Sequence, residues 1–354
     1  MTHPEHLAHA REKNALVTLK NAPSFLHWWQ GLYAPLEASP EQGVEELKRW
    51  IAFLKLPTYE TLAYVMTPKE AYDALAPHWE QWHALLEKRL NARVPIQYLL
   101  EEAPFLGMTL VVRPPCLIPR PETELLVEAV VQRLVALSPL LEERVRERGG
   151  FSNGDVTSTP HPSPPLKGEG VGAIHLWEVG IGTGCISVGI HHLLKEHPHK
   201  GLHYYGGDLC VHALKLAQEN ADTHGLAITL FESDLVAGFP PDLAPPDCLV
   251  ANLPYIDRDL YSSMAVEVRE HEGHHTLFAE DEGFALIFRL IEGIHARFGE
   301  GWQGFVALEF GEHMHERLKT KLDAHGFTHQ DWISDYGGII RHVLASRFAF
   351  CGIL

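Results

Sequence analysis

Basic residues are scarce in this chain. Its 29 lysines and arginines stand against 46 aspartates and glutamates, a formal net charge of −17. Proteins that grip a duplex usually carry a basic footprint for its phosphates. The acidic balance therefore argues against nucleic acid as a partner and fits a protein or small-molecule substrate. Cysteine is also sparse: Cys116, Cys185, Cys210, Cys248 and Cys351 form no C-x-x-C pair. An odd number at wide spacing argues against a disulfide framework and leads us to expect reduced thiols in a cytoplasmic protein. No apolar run is long enough to span a bilayer. The amino-terminal MTHPEHLAHAREKNA has no apolar segment of the signal-peptide kind. Neither a membrane partner nor a secreted location is expected.

Apolar residues, at 45%, suffice for one large domain and a smaller one. Histidine is abundant, with 24 in all. His191-His192 with His197 and His199 form one group. The other, His271-Glu272-Gly273-His274-His275, matches H-E-x-x-H literally. That motif binds zinc when a helix puts both histidines on one face. Gly273 weakens a helix, and no apolar stripe flanks it, so the stretch reads as a solvated polar loop and no metal is expected.

Residues 1–92 read as a helical amino-terminal domain that docks substrate. Leu47 to Leu56, Pro68 to Leu75 and Trp79 to Leu90 carry apolar residues at helical spacing, interrupted by Pro57 and Pro77. Tryptophans 28, 29, 50, 79 and 82 fit the core of a small bundle, with a partner-docking module as the alternative. Residues 93–118 read as a β-hairpin linker, IQYLL and FLGMTLVV separated by EEAP. From 119 to 354 we expect the main domain, with a helix led in by Pro121 and continued over Leu125 to Leu137. It is interrupted near 149–172 by the low-complexity FSNGDVTSTPHPSPPLKGEG, a surface insertion or, less simply, a lid. Strands at His175–Val179, His203–Asp208, Ile228–Phe231, Cys248–Ala251 and Phe305–Phe310 alternate with helices at Ile186–Leu194, Val211–His224, Gly283–Phe298 and His313–His325. Trp332–Ser334 and Ile340–Ala345 close the sheet. Such alternation implies an α/β fold with a mostly parallel sheet, helices on both faces, and ligands beyond the carboxyl ends of the strands.

The motifs lie at those ends. Glu178-x-Gly180-x-Gly182-x-Gly184 occupies a strand-to-helix turn, where glycines admit a sharp turn and close approach to a ligand. Asp208 ends the next strand, where a carboxylate can accept both hydroxyls of a ribose or cap a helix. Asp234 ends the third, facing an adenine amine or serving as a turn residue. Asn252-Leu253-Pro254-Tyr255 ends the fourth and carries the sharpest chemistry. A planar nitrogen is a poor nucleophile because its lone pair is delocalised. The Asn252 side-chain oxygen and the Leu253 carbonyl can accept its two N–H groups and favour the attacking form. Pro254 keeps Leu253 extended, and Tyr255 offers a face for stacking. Together the motifs describe a sulfonium cofactor facing a planar nitrogen.

With these residues in order, the chain resembles the HemK/PrmC-type protein-(glutamine-N5) methyltransferases of peptide chain release factors. Besides Glu178 to Gly184, Asp208, Ser233-Asp234-Leu235 and Asn252 to Tyr255, the likeness rests on three runs. These are Pro95-Ile96-Gln97-Tyr98, Leu117 to Glu128 with Arg120-Pro121-Glu122-Thr123-Glu124, and Asp335-x-x-Gly338-x-x-Arg341. The resemblance implies a class I S-adenosylmethionine methyltransferase, a Rossmann-like seven-stranded sheet with a small helical amino-terminal domain. It implies that Gly180, Ile181, Gly182, Thr183 and Gly184 hold the methionine part of S-adenosyl-L-methionine, Asp208 the ribose, and Asp234 with Leu235 the adenine. Asn252, beside the cofactor, with Leu253, Pro254 and Tyr255 would bind and activate the glutamine of the Gly-Gly-Gln loop in class-1 release factors. The chain departs from the family where Leu253 replaces the first proline of Asn-Pro-Pro-Tyr, where Glu272-Gly273 and Ala279-Glu280 replace Glu-Pro and Gly-Gly, and through residues 1–90. Asn-Leu-Pro-Tyr also occurs in rRNA adenine dimethyltransferases. A nucleic-acid adenine N6-methyltransferase and a ribosomal-protein glutamine methyltransferase are therefore the alternative functions, and a non-catalytic binding protein on the same fold is a third.

Overall fold

The computed structural model describes residues 19–36, 39–149, 173–195 and 201–349. The low-complexity stretch after Gly149, with His197, His199 and Cys351, lies outside the described residues. Two compact units emerge, Met1–Glu102 with Ala265–His271, and Ala103–Met264 with Glu272–Leu354.

The first unit is helical: α1 (Phe25–Tyr33), α2 (Pro40–Phe53), α3 (Pro68–Leu75), α4 (Trp79–Asn91) and α5 (Ile96–Leu100). Ser39 and Thr67 start α2 and α3 as capping boxes closed by Gln42 and Glu70, with a proline in each first turn. Trp82 lies at the centre of the core, its ring 5.7 Å from Trp79, 5.9 Å from Trp29, 6.1 Å from Trp28 and 6.3 Å from Trp50. Arg89 is buried beside this core between two carboxylates. It donates to Glu46 Oε1 at 2.8 Å and Oε2 at 2.9 Å, and to Glu267 Oε1 at 3.0 Å.

Residues 96–100, expected in the hairpin, are helical. Tyr98 and Leu99 N–H groups both donate to the Pro95 carbonyl, at 3.1 and 3.2 Å, and Glu101 ends the turn at φ +56°. An apolar run of five residues satisfies either period, and here the local hydrogen bonds favour the helix. The hairpin itself is shorter: β1 (Glu102–Phe105) and β2 (Met108–Val111). Leu106 and Gly107 join them at φ +48° and +71°, the left-handed two-residue turn that matches strand twist.

In the second unit α6 (Pro121–Gly149) leads into the sheet. It is followed by β3 (Ile174–Val179), α7 (Cys185–Leu194), β4 (Leu202–Asp208), α8 (Val211–His224), β5 (Ile228–Glu232), β6 (Cys248–Asn252), α9 (Ala285–Phe298), β7 (Phe305–Glu309), α10 (His315–Ala324), β8 (His329–Ser334) and β9 (Ile340–Ser346). The seven strands lie in the order β5-β4-β3-β6-β7-β9-β8. All pairs are parallel except those made by β9. This is the seven-stranded sheet that the resemblance implies. Its central strands β3, β6 and β7 are buried on both sides, which is why they read as nearly unbroken apolar runs. Leu176, Val250 and Ala307 face a layer containing α6, α7 and α8. Trp177, Leu249 and Val306 face a layer containing α9 and α10. From β3 the chain moves outward to β4 and β5, then crosses back to β6 on the other side. The crevice at the carboxyl ends of β3 and β6 is therefore the topological switch point.

Candidate active site

The chain leaves β3 through the glycine-rich turn. Gly180 and Ile181 N–H groups donate to the Gly207 carbonyl at 2.8 and 3.0 Å, which holds the turn against the end of β4. Gly180 has φ +71°, and a Cβ there would lie 2.8 Å from Leu253 Cδ2. The positive φ favours glycine there. The same contact packs the buried Leu253, the departure from the family pattern, against the turn. Asp208 clamps the turn from β4: its Oδ2 accepts from Gly182 N–H at 3.0 Å and its Oδ1 from Cys210 N–H at 2.8 Å. Asn220 of α8 donates to the Thr183 carbonyl at 2.9 Å. Beneath the turn Glu178 is fully buried and accepts from Ser187 N–H at 2.9 Å and its hydroxyl at 2.5 Å. Burial pushes its carboxyl up to about 8, against the lowering effect of the two Ser187 bonds.

Asp234 is half exposed, and Arg289 of α9 donates to its Oδ2 at 2.7 Å. Ser233 holds the local turn instead, its hydroxyl meeting the Leu235 carbonyl at 2.5 Å and Gly238 N–H at 2.9 Å. Leu235 takes φ +51° at this turn.

Opposite the turn, β6 ends at Asn252. Its Nδ2 donates to Thr123 Oγ1 at 3.2 Å, and Thr123 in turn donates to Glu309 Oε2 at 2.7 Å. Glu309 Oε1 accepts the Tyr255 hydroxyl at 3.2 Å. Burial, with Glu309 beside it, pushes the Tyr255 phenol well above its ordinary range, so Tyr255 remains a neutral donor. Sheet register aligns these groups: Asn252 of β6 pairs with Glu309 of β7, and Glu309 with His342 of β9. His342 Nε2 lies 3.5 Å from Glu309 Oε2. After Tyr255, Ile256 N–H donates to Leu277 O at 2.9 Å and its carbonyl accepts from Ala279 N–H at 3.0 Å. Gly283, at φ +90°, lies so close that a Cβ would come within 2.0 Å of the Tyr255 carbonyl oxygen.

Between the turn and β6 lies a cavity of about 330 Å³. Gly180, Ile181, Gly182, Thr183, Asp208, Asp234, Leu235, Asn252, Leu253 and Pro254 all line it. Gly184 and Tyr255 stand outside the lining. Gly184 opens α7 where a Cβ would lie 3.3 Å from Ala217 of α8, and Tyr255 is bound to Glu309. Cys116, Cys185 and Cys210 also line the cavity. Burial raises the Cys116 thiol to about 12 and the Cys185 thiol further. Protonated thiols are weak nucleophiles, so neither Cys116 nor Cys185 is prepared to carry the group covalently. The described cysteines are free.

Three residues outside the expected set are bonded to residues around the cavity: Thr123, Glu309 and Glu272. The first two hold Asn252 and Tyr255. Glu272, read above as part of a solvated loop, has a side chain only 1% exposed and accepts from Arg120 at 2.7 Å. Burial raises its carboxyl and Arg120 opposes the rise. The helix Val266–His271 stops before it and a new one starts at His274, so H-E-x-x-H is split. Among the described residues, no group of three or more His, Cys, Asp or Glu side chains could hold a metal ion. None of the described helices is long and apolar enough to cross a membrane.

No protein-family model matches the chain. It is similar to release factor glutamine methyltransferases. The protein from Bacillus anthracis is 29% identical over 253 residues, covering 71% of this chain and 76% of its own length. That from Aquifex aeolicus is 30% identical over 262 residues, covering 74% of this chain and 78% of its own. Among solved structures, a ribosomal protein L11 methylase from Lactobacillus delbrueckii subsp. bulgaricus covers 67% of this chain and 84% of that one, at 15% identity and a TM-score of 0.39.

Proposed function

Because the chain belongs to the release factor glutamine methyltransferase family, we propose that it methylates N5 of the glutamine in the Gly-Gly-Gln motif of class-1 peptide chain release factors, with S-adenosyl-L-methionine as donor. The observation carrying this reading is the pairing of Asn252 and Leu253, at the end of β6, with the glycine-rich turn across one cavity. The reaction belongs with translation termination in the cytoplasm.

The cavity volume is that of a small-molecule site. The turn from Gly180 to Gly184 offers backbone without side-chain obstruction to the methionine part of the cofactor. Asp208, a lining residue whose two oxygens accept from Gly182 and Cys210 N–H groups, would take the ribose hydroxyls. Asp234 and Leu235 would border the adenine, and Arg289 would have to share or yield Asp234. The cofactor supplies a methyl group already made electrophilic by its sulfonium.

The remaining task, positioning the acceptor nitrogen, falls to the protein. Asn252 Oδ1 and the Leu253 carbonyl accept the two amide N–H groups, which withdraws the nitrogen from conjugation and aims its lone pair at the turn. Pro254 keeps Leu253 extended, and the Leu253 side chain lies close to Gly180 of the turn.

Incubation of tritiated cofactor with purified class-1 release factors tests the reading. Label is expected on the wild-type factor and absent after Gln→Ala in the Gly-Gly-Gln loop. Label that survives that change, or label only on DNA or rRNA, overturns it.

A further inference from the structure

An asparagine side chain has a donor end and an acceptor end of nearly equal shape, so something must decide which end meets the substrate. Here the decision can be traced from one end of a buried chain of hydrogen bonds. Glu309 is 2% exposed, and each of its oxygens accepts a hydroxyl, Oε2 that of Thr123 at 2.7 Å and Oε1 that of Tyr255. Thr123, 1% exposed, has only lone pairs left for Asn252, and these take Nδ2–H at 3.2 Å. Asn252 Oδ1 is thereby turned toward the cavity. The reverse orientation would set Oδ1 against the Thr123 oxygen with no proton between them.

We infer that Thr123 and Glu309 are positioning residues that set the Asn252 amide with its oxygen, not its nitrogen, toward the acceptor, and so select a glutamine amide over a glutamate carboxylate. This rests on the reading of Asn252 as the glutamine-binding residue. The same Glu309 carboxylate holds the Tyr255 hydroxyl through its other oxygen, so one buried group sets both polar side chains of the motif. The α6 contribution explains why a residue of the PRPETE run, far from β6 in sequence, accompanies the motif. An Oδ1 facing outward attracts an N–H and repels a carboxylate oxygen; an Nδ2 facing outward would do the reverse.

The test is calorimetric binding of full-length class-1 release factor, and of its Gln→Glu variant in the Gly-Gly-Gln loop, to enzyme saturated with S-adenosylhomocysteine. Thr123→Val keeps the shape and removes the relay. It is expected to weaken the Gln factor about tenfold and to narrow the preference for Gln over Glu by a similar factor. Thr123→Ser restores both to within about twofold of wild type. In an Asn252→Ala background, Thr123→Val has nothing left to orient and adds no further loss. Unchanged affinity for S-adenosylhomocysteine checks the fold, and Thr123→Ala replaces the valine variant should that fail. Wild-type affinity and preference in Thr123→Val, or the same loss with Asn252 already removed, overturns the inference while leaving the functional reading intact. A wild-type enzyme that labels no release factor overturns both.

Discussion

The helical unit and the sheet unit each bury a polar network, and the two networks end differently. In the helical unit Arg89 lies between Glu46 and Glu267, Tyr33 also donates to Glu46 at 2.5 Å, and Arg93 donates to Glu267 at 3.2 Å. The charges are satisfied within the unit. In the sheet unit, Glu309, Thr123 and Asn252 form a chain that starts in the core and finishes at an acceptor on the cavity wall. A closed network supports structure. An open one aims a group at something outside the protein, at the switch point where the fold admits a ligand.

Asn252→Ala should give the largest effect. It is expected to lower turnover by roughly 10²–10³-fold, as loss of a donor or acceptor to a reacting group does. Cofactor binding should remain, and melting should shift little. A large fall in melting temperature with preserved turnover would invert the comparison. Arg89→Met breaks the closed network, leaving Glu46 without a cation and Glu267 to Arg93 alone. Thermal or denaturant unfolding should show a loss of about 3–5 kcal/mol in the helical unit. Cofactor binding measured below the transition should stay at the wild-type value. If cofactor affinity fell with stability intact, the network would not be closed in the sense used here.

Asp208→Ala removes the clamp on the turn and the proposed ribose acceptor. Cofactor affinity is expected to fall roughly 10–100-fold, with turnover at saturating cofactor much less affected; equal effects on Asp208 and Asn252 variants would mean their roles are wrongly divided. A further prediction concerns pH and Glu178. Its native carboxyl titrates at about 8 against an ordinary 4.5. The folded protein therefore keeps a proton that the unfolded chain gives up in that interval, so this group's contribution makes stability fall as pH rises from 4.5 to about 8 and level off above. Glu178→Gln should flatten that part of the melting-temperature profile; an unchanged slope assigns it to other groups.

Much of this was legible because the signals are local. Strands β3, β4 and β6 run into Gly180, Asp208 and Asn252, and each motif lies within a few residues of such an end. The glycine-rich turn, Asp208 and Asn252 to Pro254 could be placed at the cavity for that reason. Residues 96–100 misled because five apolar-rich positions do not distinguish the two periods. Thr123 and Glu309 are 186 positions apart, and Arg120 and Glu272 are 152 apart. No local pattern announces such pairs. Glu272 looked solvated among histidines because its partner is on another element. Glu309 did leave one signal: a carboxylate at the carboxyl end of a strand whose other residues are all apolar.

The most direct test is the site of the methyl group itself. Full-length class-1 release factor, treated with enzyme and isotopically labelled S-adenosylmethionine, should gain one methyl group, and fragment mass spectra should place it on the side chain of the Gly-Gly-Gln glutamine. A methyl group found on any other residue, or a factor of unchanged mass in the presence of cofactor-bound enzyme, would contradict the account.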